Sequence, residues 1–136
     1  MRYLIISDIH SNFAALRAVL VSSKGDYDEI VCCGDLVGYG PDPDLVTDWV
    51  RENVSRVVRG NHDRVCSGLD GADQFNEAAR LAAFWNQNHL NEENTHYLQA
   101  LPEGPMEIAE QFDILHGSPR NEDEYITTSA GAAGLL

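Results

Sequence analysis

Three short apolar segments alternate with two stretches of helical spacing at the start of the chain. Segments 3–7 and 30–33 are apolar runs of the kind found in strands buried on both faces of a parallel sheet, and segment 56–59 predicts a third short strand. Apolar residues recur at helical spacing over 13–21 and 44–50. Because crossovers between parallel strands are nearly always right-handed, this order predicts an α/β fold with helices packed against a parallel sheet.

The second half of the sequence has a different pattern. Residues 73–100 have helical composition and predict a helical insertion of about that extent. Two apolar pieces, 106–109 and 112–115, are separated by two polar residues and predict a β-hairpin. A length of 136 residues without an internal repeat predicts a single domain over residues 1–136.

Charge and cysteine content narrow the partners and the compartment. The net charge of −13 disfavours nucleic acid and anionic membranes as partners, and it suits cations. No apolar run is long enough to cross a membrane. The cysteines are odd in number, and Cys32 and Cys33 are strand neighbours whose side chains point to opposite faces. With Cys66 they predict buried, unreactive thiols in a reducing compartment, which favours a cytoplasmic protein.

Polar clusters follow each predicted parallel strand and the second strand of the hairpin. In an open parallel sheet, ligands bind beyond the carboxyl ends of the strands, so these side chains are expected to meet in one crevice. Carboxylate, amide and imidazole donors without a thiolate suit Mn, Fe, Co, Ni or Zn as divalent ions. The candidate site residues are Asp8, His10, Asp35, Asn61, His62 and His116.

The order of these clusters resembles a known family. The motifs are Asp8-Ile9-His10, Gly34-Asp35-Leu36-Val37-Gly38, Gly60-Asn61-His62-Asp63, and His116 followed by Gly-Ser-Pro. They are similar to the successive motifs of the calcineurin-like metallophosphoesterase superfamily. The stretch 34–43 resembles its small prokaryotic phosphodiesterases more than its protein phosphatases. The resemblance implies an αββα sandwich and a metal-dependent phosphoric ester hydrolase acting on a small phosphoester, most simply a phosphodiesterase.

The resemblance also implies a role for each residue. Asp8 and His10 would hold the first of two divalent metal ions, and Asp35 would bridge both. Asn61 and His116 would hold the second ion. A metal-bridging hydroxide would then attack phosphorus in line, since two ions lower its pKa and neutralise the developing charge.

Two further residues follow from the same resemblance. His62 would act catalytically, by protonating the leaving alkoxide or stabilising its charge. Asp63 is the nearest carboxylate available to orient His62 in a supporting position.

The sequence departs from the family pattern at its end. The family's closing Gly-His-x-His element is absent, and no histidine follows His116. The resemblance therefore implies a chain truncated at the C-terminus, with weaker metal binding and an incomplete second sheet. An uncovered face of the parallel sheet would expose apolar surface, so a homo-oligomer is expected to cover it.

Two other functions compete with a phosphoesterase. The first is a non-catalytic interaction or scaffold protein of the same fold with a degraded metal site. The second is a nucleotide-binding domain that uses residues 34–40 as a phosphate loop, although no Lys-Ser/Thr pair follows them. Metal content and turnover distinguish these functions.

Several residues outside the motifs have structural interpretations. His89 and His96 lack acidic or histidine partners at useful spacing and are predicted to lie at the surface. Phe84 and Trp85 are predicted to belong to the core. Arg59 is expected to be solvated or ion-paired rather than bound to phosphate.

Overall fold

The computed structural model describes residues 1–135. Strands and helices alternate through the first half, as the sequence pattern predicts, and a hairpin closes the second half. The elements in chain order are β1 (Tyr3–Ile6), α1 (Phe13–Ser22), β2 (Glu29–Cys32), α2 (Pro43–Asn53), β3 (Arg56–Val57), α3 (Asn61–Cys66), α4 (Glu77–His89), α5 (Glu92–Gln99), β4 (Met106–Ile108), β5 (Phe112–Ile114) and α6 (Ser129–Ala133).

The first sheet is parallel, in the order β1-β2-β3. Ile6 aligns with Cys32, and Cys32 aligns with Val57, so the strands end at nearly the same level. Helices cover one face of this sheet. Leu16 of α1, Val46 of α2 and Leu98 of α5 are buried there, in one continuous apolar cluster with the sheet.

The hairpin of β4 and β5 lies on the opposite face. Ile108 and Ile114 pack against Val31 and Val58, which form a smaller apolar cluster on that side. This confirms the α/β fold, with a second sheet of two antiparallel strands among the described residues. The hairpin leaves part of β1 uncovered, because Ile5 remains 56% exposed.

Asparagine side chains fix where three helices begin. Asn12, Asn76 and Asn91 each accept a hydrogen bond from a backbone N–H in the first turn of α1, α4 and α5. Such caps satisfy donors that the helix itself leaves free. The helical insertion predicted over 73–100 therefore begins at Glu77 in the structure, and the residues just before Glu77 form turns. No described helix has the length and apolar character needed to cross a membrane.

The prediction that Phe84 and Trp85 belong to the core is wrong. The side of α4 that faces the protein carries Ala79, Ala83 and Asn86, all of which are buried. These small or polar residues let α4 approach closely. Phe84 and Trp85 lie on the outer side and are 45% and 42% exposed.

Candidate metal centre

The loops that follow β1 and β2 lie side by side. The backbone N–H of Asp8 donates to the carbonyl of Gly34 at 3.0 Å, and that of His10 donates to the carbonyl of Asp35 at 3.0 Å. These bonds continue the pairing of the parallel strands beyond their ends. The carboxylates and the imidazole are therefore brought together by backbone geometry.

The backbone at these positions is left-handed. The φ angles are 54° at Asp8, 49° at His10 and 55° at Asp35. A non-glycine residue in this region costs on the order of 1–3 kcal/mol, and such residues concentrate at functional sites. The local hydrogen bonds between the loops hold this conformation in place.

Asp8, His10 and Asp35 form the first cluster of candidate ligands. Nε2 of His10 lies 3.7 Å from Oδ1 of Asp8 and 3.7 Å from Oδ2 of Asp35. Nδ1 of His10 lies 3.0 Å from the carbonyl oxygen of Val37. Since a carbonyl only accepts hydrogen bonds, this contact places the proton on Nδ1 and leaves the lone pair of Nε2 facing two carboxylate oxygens.

His116 repeats this arrangement in the second cluster. Its Nδ1 lies 2.8 Å from the carbonyl oxygen of Cys33, so Nε2 again presents a lone pair. Nε2 lies 3.5 Å from Oδ2 of Asp35 and 3.0 Å from Oδ1 of Asn61. All three atoms then act as acceptors in close contact, an arrangement that a cation between them would stabilise. Oδ2 of Asp35 faces both histidines, as a ligand shared by two ions would.

The electrostatics of Asp35 also favour a bound cation. Its side chain is nearly buried, and burial followed by the charge of Asp63 raises the pKa of Asp35. The carboxylate of Asp8 acts in the same direction. A divalent ion would reverse this effect by stabilising the charged carboxylates.

Asp63 does not orient His62, contrary to the prediction. Its Oδ2 accepts hydrogen bonds from the backbone N–H groups of Asp35 (2.8 Å) and Gly60 (2.9 Å). Its Oδ1 accepts from the backbone of residues 36 and 37 at 2.8 and 3.2 Å. Both oxygens are thus used by backbone donors, and the Asp63 carboxylate holds the loop after β2 against the start of α3.

The phosphate-loop hypothesis for residues 34–40 fails for the same reason. A phosphate loop needs free backbone N–H groups aimed at the ligand. Here the N–H groups of residues 35–37 donate to Asp63, and that of Gly38 donates to Oδ1 of Asn86 at 3.1 Å. The N–H groups in the middle of this segment are therefore already used within the protein and are not free for a nucleotide.

Asn86 of α4 was not predicted from the sequence, although it organises the site. Its side chain is fully buried and accepts hydrogen bonds from the Ser11 hydroxyl (2.5 Å) and from Gly38 N–H. It donates to the carbonyl of Gly40 at 3.2 Å. The sequence did contain one indication of this role, because Asn86 is a polar residue on the same side of α4 as Ala79 and Ala83.

His62 lies beside both clusters and is mostly enclosed. Its ring centroid is 4.9 Å from that of His10, 4.8 Å from that of Tyr39 and 4.4 Å from that of Phe75. Burial, followed by the charges of His10 and His116, lowers the pKa of His62 to about 4. Gly38 packs directly against the ring, because an added Cβ there would lie 2.5 Å from Nδ1.

An arginine–carboxylate cluster borders the metal centre. Glu122 pairs with Arg59 at 3.1 Å and also with Arg64, and Asp123 pairs with Arg64 at 2.9 Å. The Glu122 side chain is only 7% exposed. These pairs attach the segment after β5 to the site, and they confirm that Arg59 is ion-paired.

Comparison with known proteins agrees with this geometry. Residues 1–131 match the family described as calcineurin-like phosphoesterase. The chain belongs to this family. A metallophosphoesterase from Sphaerobacter thermophilus is 41% identical, with a TM-score of 0.82 over 99% of this chain and 55% of its own. The family assignment therefore rests on both sequence and fold.

Two further similar proteins extend the comparison. The uncharacterized protein MJ0912 of Methanocaldococcus jannaschii is 39% identical over 100 residues, which are 72% of this chain and 41% of that protein. A protein described as a candidate diadenosine tetraphosphatase is 26% identical, with a TM-score of 0.58 over 81% of this chain and 54% of its own. The chain thus spans about half the length of these relatives.

Proposed function

We propose that this metallophosphoesterase chain binds two divalent metal ions and hydrolyses a phosphodiester. One observation carries the proposal: two clusters of acceptor atoms meet at Oδ2 of Asp35, and in each cluster a carbonyl fixes the histidine tautomer that leaves Nε2 unprotonated. Asp8 and His10 would complete one ion site, and Asn61 and His116 the other. Bound ions would activate water and neutralise charge on the phosphoryl group.

His62 is proposed to protonate the leaving oxygen. The ring borders the same cavity as the two clusters, a space of about 330 Å³. In the free chain the pKa of about 4 keeps the imidazole neutral near pH 7. An anionic phosphate next to the ring would favour its protonated form and so oppose the effects of burial and of the bound ions. The proton is then available where the leaving group develops charge.

The finer assignments are part of the same proposal. We favour a diester because the motif around Asp35 resembles small phosphodiesterases, and one relative is described as a candidate diadenosine tetraphosphatase. Manganese is a suitable ion because the donors are oxygen and imidazole. A cytoplasmic location is supported by three free cysteines, none of them exposed.

The test combines metal analysis with turnover. Purified protein supplied with Mn²⁺ should bind the ion and hydrolyse bis(p-nitrophenyl) phosphate faster than p-nitrophenyl phosphate. His62→Asn should lower kcat by about 10²- to 10⁴-fold, the usual contribution of a proton donor, while the metal content stays the same. His96→Asn is the matched control, because His96 is an exposed histidine on α5. Its activity should be unchanged.

Other outcomes separate the alternatives. Metal binding without turnover of any phosphate ester would support the scaffold function instead. Failure to bind any divalent ion would refute the proposed metal centre, because the two clusters of acceptor atoms would then not be ligands.

We also propose that a second copy of the chain covers the open part of the parallel sheet. Ile5 on β1 is 56% exposed, and the groove beside β1 has a volume of about 640 Å³ with Ile9 and Val19 in its walls. The net charge of −13 opposes self-association, so added salt should promote it. Light scattering at low and high salt tests this. Ile5→Lys should abolish the association. If the unmodified protein is a monomer at both salt concentrations, as Ile5→Lys is, the proposal is refuted.

A further inference from the structure

A second, smaller cavity adjoins the metal centre on the His62 side. It has a volume of about 160 Å³, and its walls include Tyr39, Phe75 and Tyr125 together with the amides of Gln74 and Asn76. His62 lies in the wall that this cavity shares with the larger one. A group leaving from phosphorus toward His62 would therefore enter this space.

Aromatic rings surround His62 on this side. The ring of His62 lies beside the rings of Phe75 and Tyr39, at interplanar angles of 31° and 40° respectively. Tyr39 is 53% exposed, and Tyr125 is 84% exposed. Exposed tyrosine rings at a cavity mouth offer flat apolar faces for stacking.

The segment that carries Tyr125 is firmly attached. The neighbouring Asp123 makes two hydrogen bonds to the Arg64 guanidinium, at 3.0 and 2.9 Å. Glu122 is paired with Arg59 and Arg64 and nearly buried. Ion pairs of this kind hold a segment in one place, because moving it would separate the pair and leave a buried charge without its partner. Tyr125 is thus presented to the cavity by an anchored backbone.

We propose that this cavity binds the leaving group of the substrate and that this group is a nucleoside. The inference rests on the proposed phosphoesterase function. The oxygen of a water molecule bonds to phosphorus as the bond from phosphorus to the nucleoside oxygen breaks. The water gives up one proton and the departing nucleoside oxygen takes one up, by way of His62, so that one water is consumed and no net charge is left on the nucleoside. The base stacks on Tyr125 and Tyr39.

The amides distinguish a nucleobase from a plain aromatic ring. Oδ1 of Asn76 accepts from the backbone N–H of Ala79, so its NH₂ group remains available as a donor. The exposed amide of Gln74 can both donate and accept. Such groups match the hydrogen-bonding edge of a base, whereas a phenyl ring would leave them unused.

Binding of two matched ligands tests the proposal without requiring turnover. Adenosine 5′-monophosphate and ribose 5-phosphate carry the same sugar phosphate and differ only in the base. With Mn²⁺-loaded protein and calorimetry, the adenosine compound should bind about fivefold or more tightly, since stacking of one base contributes about 1–3 kcal/mol. Tyr125→Ala should reduce that ratio at least threefold. Tyr125→Phe should retain the ratio because it keeps the ring face.

Phe84→Ala provides the matched control, since Phe84 is an exposed aromatic residue outside the cavity. It should leave both affinities unchanged. Equal affinity for the two ligands in the unmodified protein overturns this inference alone, whatever the hydrolysis assay shows. Phenyl phosphate binding as tightly as the adenosine compound overturns the nucleoside assignment. Binding of none of these phosphates overturns both the inference and the proposed function.

Discussion

Replacing Asp63 by Asn tests whether one buried carboxylate holds the metal-site loops together. Asp63 is fully buried, and its two oxygens accept four backbone hydrogen bonds, at 2.8, 2.8, 3.2 and 2.9 Å. An asparagine keeps the size of the side chain but offers only one acceptor oxygen. Its NH₂ group must then face two backbone N–H donors, which are left without a partner.

The expected loss follows from these contacts. A hydrogen bond to a charged group contributes about 1.5–3 kcal/mol, so two lost bonds cost about 3–6 kcal/mol. Removing the charge also relieves its repulsion of Asp35, whose pKa is raised partly by Asp63. This relief offsets part of the loss. A net decrease of about 2–4 kcal/mol in the free energy of unfolding is expected, a large fraction of the stability of a typical domain.

Urea unfolding in the presence of a chelator measures this loss without a contribution from bound metal. Asp113→Asn is the control, because Asp113 is an exposed carboxylate on β5 and surface changes usually stay within about 0.5 kcal/mol. Mn²⁺ affinity should fall as well, since the ligand loops lose their attachment. If Asp63→Asn unfolds at the same urea concentration as the control, the assigned role of Asp63 is refuted.

Three further predictions follow from the site. Mn²⁺ at about 100 times its Kd should raise the free energy of unfolding by about 2.7 kcal/mol, and chelation should reverse the gain; an unchanged melting temperature would contradict metal binding to the native state. Asn86→Leu should cost about 2–4 kcal/mol by leaving the Ser11 hydroxyl and Gly38 N–H unpaired, measured against Asn88→Leu on the exposed side of α4. Gly60→Ala should weaken Mn²⁺ binding at least tenfold in calorimetry, because the alanine Cβ would lie 2.0 Å from Oδ1 of Asp35. An unchanged affinity would show instead that the loops can move apart.

The proximity of the candidate ligands was predictable because it depends on topology. Parallel strands end at one edge of a sheet, so polar residues directly after each strand must lie near one another. Asp8, Asp35 and Asn61 follow that rule, and their proximity needs no knowledge of side-chain packing. His116 required one more step, the pairing of a hairpin onto the opposite face.

The supporting residues were harder to predict because they depend on contacts between distant elements. Asp63 was predicted to orient His62 because the two are neighbours in sequence, but its oxygens instead accept hydrogen bonds from four backbone N–H groups of two loops. Asn86 lies on a helix whose position relative to the loops is set by packing. Phe84 and Trp85 were placed in the core for their apolar character, although the alanines on the other side of α4 decide which side packs.

The left-handed backbone at Asp8 and Asp35 limits how an inert version of this protein can be made. Asparagine tolerates that conformation far better than branched residues, and it preserves the shape of the carboxylate while removing its charge. Replacing Asp8 and Asp35 by asparagine should therefore weaken metal binding and remove activity while the surrounding loops keep their conformation. Chains altered in this way would serve as folded traps for the natural substrate, whereas valine replacements would report mainly on misfolding.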